Sequence, residues 1–415
     1  MDTLVICGAK PLQGQVKVSG SKNATLPIMA ASLLSTGEVT LSGVPELDDI
    51  AVMAEVLRIL GAKVYRDHDT MVINASTINS IEVPENITRR MRASNLVMGA
   101  LLARFAQARV AYPGGCAIGS RPMDLHLKGF RNLGYEIDEE YGIMEGKGGK
   151  IAGNEILLDF PSVGATENIM MAASLTPGVT IIRNAAREPE IVDLQNFLNR
   201  MGARIRGAGL DTIRIEGVKK LDGVEHSVIP DRIEAGTFMA AAAISRGDLW
   251  LDNVVPEHIQ PLIAKLREIG VEISTWTSGI RIIGNDHLRP TDLKTMPYPG
   301  FPTDMQAQMM TLLATVSGTS VIVETIFENR FMHVQELRRM GADIKNEGRV
   351  AIVKGKKRLQ GCKVEATDLR AGAALILAGL YAEGETTISR VEHIDRGYDK
   401  IHQKLLEIGA DIVRV

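Results

Sequence analysis

The chain has 415 residues, of which 45% are hydrophobic and 4% aromatic, with a net charge of −3 and three cysteines. That length is too great for one ordinary core and enough for two. The charge argues against bulk nucleic-acid affinity, the few aromatics against binding dominated by ring stacking, and the three cysteines against a disulfide framework.

The N-terminal residues, MDTLVICGAK, lack the basic segment and apolar run of a signal peptide. No apolar stretch approaches the roughly 20 residues of a membrane span, so the cytoplasm is the expected compartment. Residues 2–9, DTLVICGA, read as a strand. One α/β unit then recurs six times. Its first helix is apolar nearly all round: LPIMAASLLSTG (26–37), NLVMGALLAR (95–104), NIMMAASLTPG (168–178), FMAAAAISRG (238–247), MQAQMMTLLATVSG (305–318) and ALILAGLYAEG (374–384). Such a helix belongs inside a core. A strand follows, then an amphipathic helix such as PEIVDLQNFLNRMG (189–202), then two more strands. The amphipathic helix closes on a recurring glycine phrase, at Gly61, Gly134, Gly202, Gly270, Gly341 and Gly409, with spacings of 73, 68, 68, 71 and 68 residues. A glycine there supplies the φ>0 residue that ends a helix.

Each unit therefore reads strand, helix, strand, helix, strand, strand. The sixth stops at ADIVRV without its last strand, which DTLVICGA resembles, so the N-terminus is expected to complete it. Two groups of three follow. One domain covers residues 21–229; the other is discontinuous, 1–20 plus 230–415. Crossings near Gly20 and Ile229 would join them as hinges, and the cleft between them is the expected active site.

The buried helices start with polar residues: Lys22 and Asn23, Arg89 to Arg92, Ser162 to Thr166, Asp231, Thr303 with Asp304, and Asp368 with Arg370. Ser, Thr and Asp cap helices, and capping is the default for Asp304 and Asp368. Lys and Arg at these ends oppose the helix dipole, so an anionic ligand is inferred between the cations and the helices. A second set, Arg121, Arg187, Arg330 and Arg396, precedes the amphipathic helices at near-equivalent positions and offers forks for phosphate and carboxylate. In the second unit the loop YPGGCAIGSRP (112–122) surrounds Cys116 with glycine and proline. Arg121 could lower the thiol pKa there. Cys7 and Cys362 read as passive. The sequence carries no Walker loop, no GxGxxG opening a helix, and no histidine spacing suited to a metal.

Long ordered motifs resemble the UDP-N-acetylglucosamine enolpyruvyl transferase family along the whole chain. They are GSKNATLP (20–27), PGGCAIGSRPMDLHLKG (113–129), PSVGATENIMMAA (161–173), PDRIEAGTF (230–238), FPTDMQAQ (301–308), ETIFENRFMHVQEL (324–337), ATDLRAGAALILAG (366–379) and HIDRGYDKI (393–401). The resemblance implies two inside-out α/β barrel domains, each of three βαβαββ units with pseudo-threefold symmetry. It implies transfer of the enolpyruvyl group of phosphoenolpyruvate to the 3′-hydroxyl of UDP-N-acetylglucosamine with release of phosphate, the first committed step of peptidoglycan synthesis. Those two molecules are the implied partners; no metal, organic cofactor, nucleic acid or membrane is.

By the same resemblance Cys116 is the proton donor to carbon and can form a covalent phosphoenolpyruvate adduct. Lys22 and Asn23 line the phosphoenolpyruvate site, and Arg121, Arg370 and Arg396 hold its phosphate and carboxylate, with Arg330 beside them among the substrate-binding arginines. Arg92, the run Arg121, Pro122, Met123, Asp124 and Leu125, and Ser162, Val163 and Gly164 contact the UDP-sugar. Asp304 lies near the 3′-hydroxyl as candidate base, and Ile326 makes a backbone contact to the sugar. Phe160 stands where some members carry Lys, which removes a possible charge contact to the diphosphate. The sister enzyme of the shikimate pathway shares fold and phosphoenolpyruvate, but the PGGC loop and SVGATEN argue against it.

Overall fold

A computed structural model describes residues 2–112, 123–356 and 358–415, with Arg92 described by its backbone alone. The described residues divide into two compact units, each with its own apolar core. A continuous unit runs from Gly20 to Ile229. A split unit joins the residues up to Ser19 to Pro230–Val415. Gly20 thus falls on the opposite side of the boundary from the expected 1–20.

Each unit holds three four-stranded sheets of one pattern. In the sheet of the third repeat, Glu155–Leu157 pairs in parallel with Val179–Arg183. That strand pairs antiparallel with Thr212–Glu216, which pairs antiparallel with Arg204–Arg206. Ile213 and Ile215 are buried while their neighbours are not, the alternation of a sheet with one face on a core. The apolar helices lie inside: Lys22–Ala31, Val97–Phe105 and Val163–Ser174 in the continuous unit, and Arg232–Ser245, Gln306–Leu313 and Leu369–Tyr381 in the split unit. All three of the split unit pack on one another. Every residue of Ile233–Ser245 is buried, as an all-round apolar sequence requires.

The glycine phrase acts as the sequence implies. All six glycines have φ between 91° and 108°, a region open to glycine. At the end of the fourth inner helix, however, Arg246 and not Gly247 takes the left-handed turn, at φ 57°. The N-terminal strand Leu4–Cys7 lies between Glu385–Ser389 and Asp411–Arg414, antiparallel to both, and completes the sixth sheet.

The order of strands along the chain differs from the contiguous unit in two places. Gln13–Lys17, which precedes the first inner helix, pairs with Asp248–Asp252 in the fourth sheet. Glu225–Ser227, which precedes the fourth inner helix, pairs with Glu38–Ser42 in the first. The chain changes unit between each of these strands and its helix, so the two units exchange one edge strand. At the change, Ser21 donates its N–H to the Ile229 carbonyl and Asp231 donates to the Ser19 carbonyl, both at 2.8 Å.

Candidate active site residues

In the split unit the turn Thr303–Met305 leads into the inner helix Gln306–Leu313. Asp304 stands in that turn with each carboxylate oxygen taken by a different arginine. Oδ1 accepts from Arg330 Nη2 at 2.7 Å, and Oδ2 accepts from Arg370 Nη2 at 3.0 Å. The arginine side chains are 3% and 5% exposed and Asp304 is 28% exposed. The carboxylate is thus the open end of a buried triad. The capping expected of Asp304 is replaced by ion pairing: Asp304 lies inside the turn Thr303–Met305, whose cap position is Pro302, and its carboxylate meets the two arginines. Asp368 does cap, accepting from the N–H groups of Arg370 and Ala371.

Further contacts fix Arg370. Its guanidinium lies 5.4 Å from the Tyr398 ring centroid. Burial alone would lower its pKa, but the adjacent Asp304 charge and then Tyr398 reverse the shift, so its pKa lies above the ordinary arginine value. The Tyr398 hydroxyl meets Thr237 Oγ1 at 2.9 Å and accepts from Gln308 Nε2 at 3.2 Å. Gln308 also donates to the Asp304 carbonyl at 2.9 Å. His333, buried on the helix His333–Arg339, has its pKa pulled down to about 4 by burial, and so packs near Arg330 as a neutral ring. Arg396 is half-buried and caps the C-terminus of the short helix Glu392–Asp395.

In the continuous unit Ser21 caps the first inner helix, and the Lys22 ammonium lies 3.1 Å from Asp49 Oδ2. Both side chains are largely buried. Asn23 is half-buried beside them. Ser162 caps the third inner helix through the Ala165 amide. Gly164 lies against His126, whose Cε1 would stand 3.1 Å from a Cβ there, so a larger residue would press on the ring. His126 Nδ1 faces Asn168 Nδ2 at 2.9 Å, and Asn168 Oδ1 accepts from the Gly99 amide. Glu167, deeper in the same helix, has its pKa raised well above the carboxylate range by burial and by the charges of Glu190 and Glu188.

Several expectations change. The cations at helix starts are not matched by an external anion alone, since Lys22 meets Asp49 and Arg370 meets Asp304 within their own units. Arg187 forms a 3.6 Å surface pair with Asp211. Arg89 and Arg90 pair on the surface with Glu85 and Glu55. The Met123 side chain is core, with Asn95 Nδ2 on its sulfur at 2.9 Å, which leaves its backbone for any ligand. Asp124 is exposed, Leu125 and Val163 are half-buried, and Phe160 is 45% exposed. Cys116, Arg121 and Pro122, and the side chain of Arg92, lie outside the described residues. Sequence reasoning missed Asp49, Glu324 and Tyr398. Asp49 sits where an acidic first turn is already explained by the helix dipole, and nothing local separates the two readings.

The family model for EPSP synthase (3-phosphoshikimate 1-carboxyvinyltransferase) matches residues 6–405. A protein of Caldanaerobacter subterraneus subsp. tengcongensis named UDP-N-acetylglucosamine 1-carboxyvinyltransferase 1 is 57% identical over 410 residues, covering 99% of both chains. UDP-N-acetylglucosamine 1-carboxyvinyltransferase 2 of Carboxydothermus hydrogenoformans is 57% identical over 417 residues, covering 100% of both. Among solved structures, the enolpyruvyl transferase NikO from Streptomyces tendae matches with a TM-score of 0.90 at 26% identity, covering 100% of this chain and 99% of that one. EPSP synthase from Acinetobacter baumannii matches in fold, with a TM-score of 0.76 at 19% identity and the same coverage.

Proposed function

Since the chain belongs to the EPSP synthase family, on its UDP-N-acetylglucosamine 1-carboxyvinyltransferase branch, we propose that it moves the enolpyruvyl group of phosphoenolpyruvate to the 3′-hydroxyl of UDP-N-acetylglucosamine and releases phosphate. The observation that carries this reading is the identity of 57% with enzymes of that name over their full length. The cradle of Asp304, Arg330 and Arg370 supports it, because it puts fixed cations beside a carboxylate that a hydroxyl can reach.

The acceptor oxygen adds to C2 of phosphoenolpyruvate while C3 gains a proton. The tetrahedral adduct then loses a C3 proton and phosphate, which restores the double bond on the sugar. Addition needs a proton donor and a group to receive the hydroxyl proton. We assign the first role to Cys116. Asp304, 28% exposed between its two buried arginines, receives the hydroxyl's hydrogen bond. Lys22, Arg121, Arg370 and Arg396 meet the phosphate and carboxylate of phosphoenolpyruvate. Arg330 holds Asp304. Asn23, Arg92, the run Arg121 to Leu125, Ser162 to Gly164 and Ile326 serve the substrates.

Cytoplasmic work suits this substrate pair, and among the described residues no helix is long and apolar enough to cross a membrane. A coupled phosphate-release assay decides the acceptor. Release with phosphoenolpyruvate and UDP-N-acetylglucosamine is expected. Release with shikimate 3-phosphate alone would overturn the reading.

A further inference from the structure

Behind Asp304 lies a second carboxylate that the reaction does not use. Glu324 is 1% exposed. Its Oε1 accepts from the amides of Ile326 at 2.8 Å and Phe327 at 3.2 Å, and from Thr295 Oγ1 at 2.9 Å. Its Oε2 accepts from Thr303 Oγ1 at 2.9 Å. A buried carboxylate is costly unless several donors replace its water, and these four do so without a cation. They come from three separate stretches of chain: Thr295 after the strand Leu293–Lys294, Thr303 in the turn that carries Asp304, and the loop after strand Gly318–Val323.

We propose that Glu324 is a positioning residue that fixes the Asp304 turn and the loop 324–330 as one rigid piece, and so sets where the acceptor hydroxyl meets Asp304; this rests on the function proposed above. The contacts close a circuit. Glu324 holds Thr303, the residue before Asp304. Asp304 holds Arg330, which also reaches the Thr303 carbonyl at 3.4 Å. The Arg330 guanidinium lies 5.7 Å from the Phe327 ring centroid, and the Phe327 amide returns to Glu324. Thr295 doubles the link, accepting from the Thr325 amide at 2.9 Å and from its hydroxyl, through the Thr295 carbonyl, at 2.6 Å. The N–H of Ile326 is used inside this circuit, which leaves its carbonyl as the group that can meet the sugar. Packing alone would be served as well by an apolar side chain. Four converging donors instead specify one geometry for two pieces of the acceptor site.

The test severs the link at its hydroxyl. Thr303→Val removes the bond to Glu324 at nearly constant volume, and Thr303→Ser keeps it. A shift of about 1 Å at the reacting atoms costs on the order of 100-fold, so T303V should lower kcat by about 10- to 100-fold. T303S should stay near wild type. Wild-type kcat in T303V, or a T303S as slow as T303V, would overturn the proposal. A wild-type protein that releases no phosphate with UDP-N-acetylglucosamine would sink the assigned function instead. The link is then read by amide exchange at Ile326 and Phe327, which should quicken in T303V, and unchanged exchange refutes it.

Discussion

Replacing Asp304 by Asn tests the buried triad without substrate. The change keeps the shape and one carbonyl oxygen. It removes the charge that faces two guanidinium groups, both at most 5% exposed. One arginine can keep an acceptor, while the other meets an amide N–H₂ and is left without its carboxylate. Breaking a buried ion pair from one side costs about 3–5 kcal/mol. Asp304 is 28% exposed, so water can reach the released arginine and the lower end, about 3 kcal/mol, applies. For a unit of about 200 residues each kcal/mol moves the midpoint by about 2–4 °C, which predicts a fall of about 6–12 °C in the split unit's transition. Thermal unfolding followed by calorimetry measures it. Inorganic phosphate supplies the second arm. The variant presents two uncompensated cations, so phosphate should bind it more tightly and restore more stability than in wild type; saturation at about 100 times Kd returns about 2.7 kcal/mol. A midpoint within about 1 °C of wild type, or equal phosphate stabilisation of both proteins, would refute this reasoning.

The buried His333 makes stability depend on pH. Its pKa of about 4 lies below the ordinary value of 6.5, so below pH 6.5 the unfolded chain takes up a proton that the folded chain refuses. Stability should fall progressively from pH 6.5 to 4 by on the order of 3 kcal/mol. His333→Asn should flatten that part of a urea-melt pH series, and parallel curves would count against it. Cys116→Asp should retain some turnover yet lose inactivation by the epoxide fosfomycin, which alkylates this thiol in the family; full inactivation of the variant would remove the role given to Cys116. Gly202 and Gly134 share a left-handed backbone but not their surroundings. Nothing lies within 4 Å of a Cβ at Gly202, whereas the Lys150 carbonyl would be 2.1 Å from one at Gly134. Gly202→Ala should cost about 1–2 kcal/mol from backbone strain alone, and Gly134→Ala more; equal losses in denaturant melts would contradict the argument.

What could be read in the sequence was local. Helix burial follows from composition within one helix, and the closing glycines follow from the conformation of a single residue. The caps at Ser21, Ser162, Asp231 and Asp368 bind amides two or three residues ahead, so their side chains and partners lie in one short phrase. The absent last strand of the sixth unit was legible too, because a sheet pattern seen five times defines the gap. Asp304 belongs to another kind. Its partners stand 26 and 66 residues away, and beside a helix start its sequence looks like any cap. Asp49 is equally ordinary until Lys22 meets it.

The six-fold repeat, its glycine turns and the buried helices were determined by the sequence itself, since periodicity and backbone preference act over a few residues. The exchange of edge strands at Gln13–Lys17 and Glu225–Ser227, the seating of Asp304 between two arginines and the four donors around Glu324 were decided by tertiary structure. Charge pairing and desolvation depend on distance in space, and chain segments far apart in sequence set that distance only once both cores have formed.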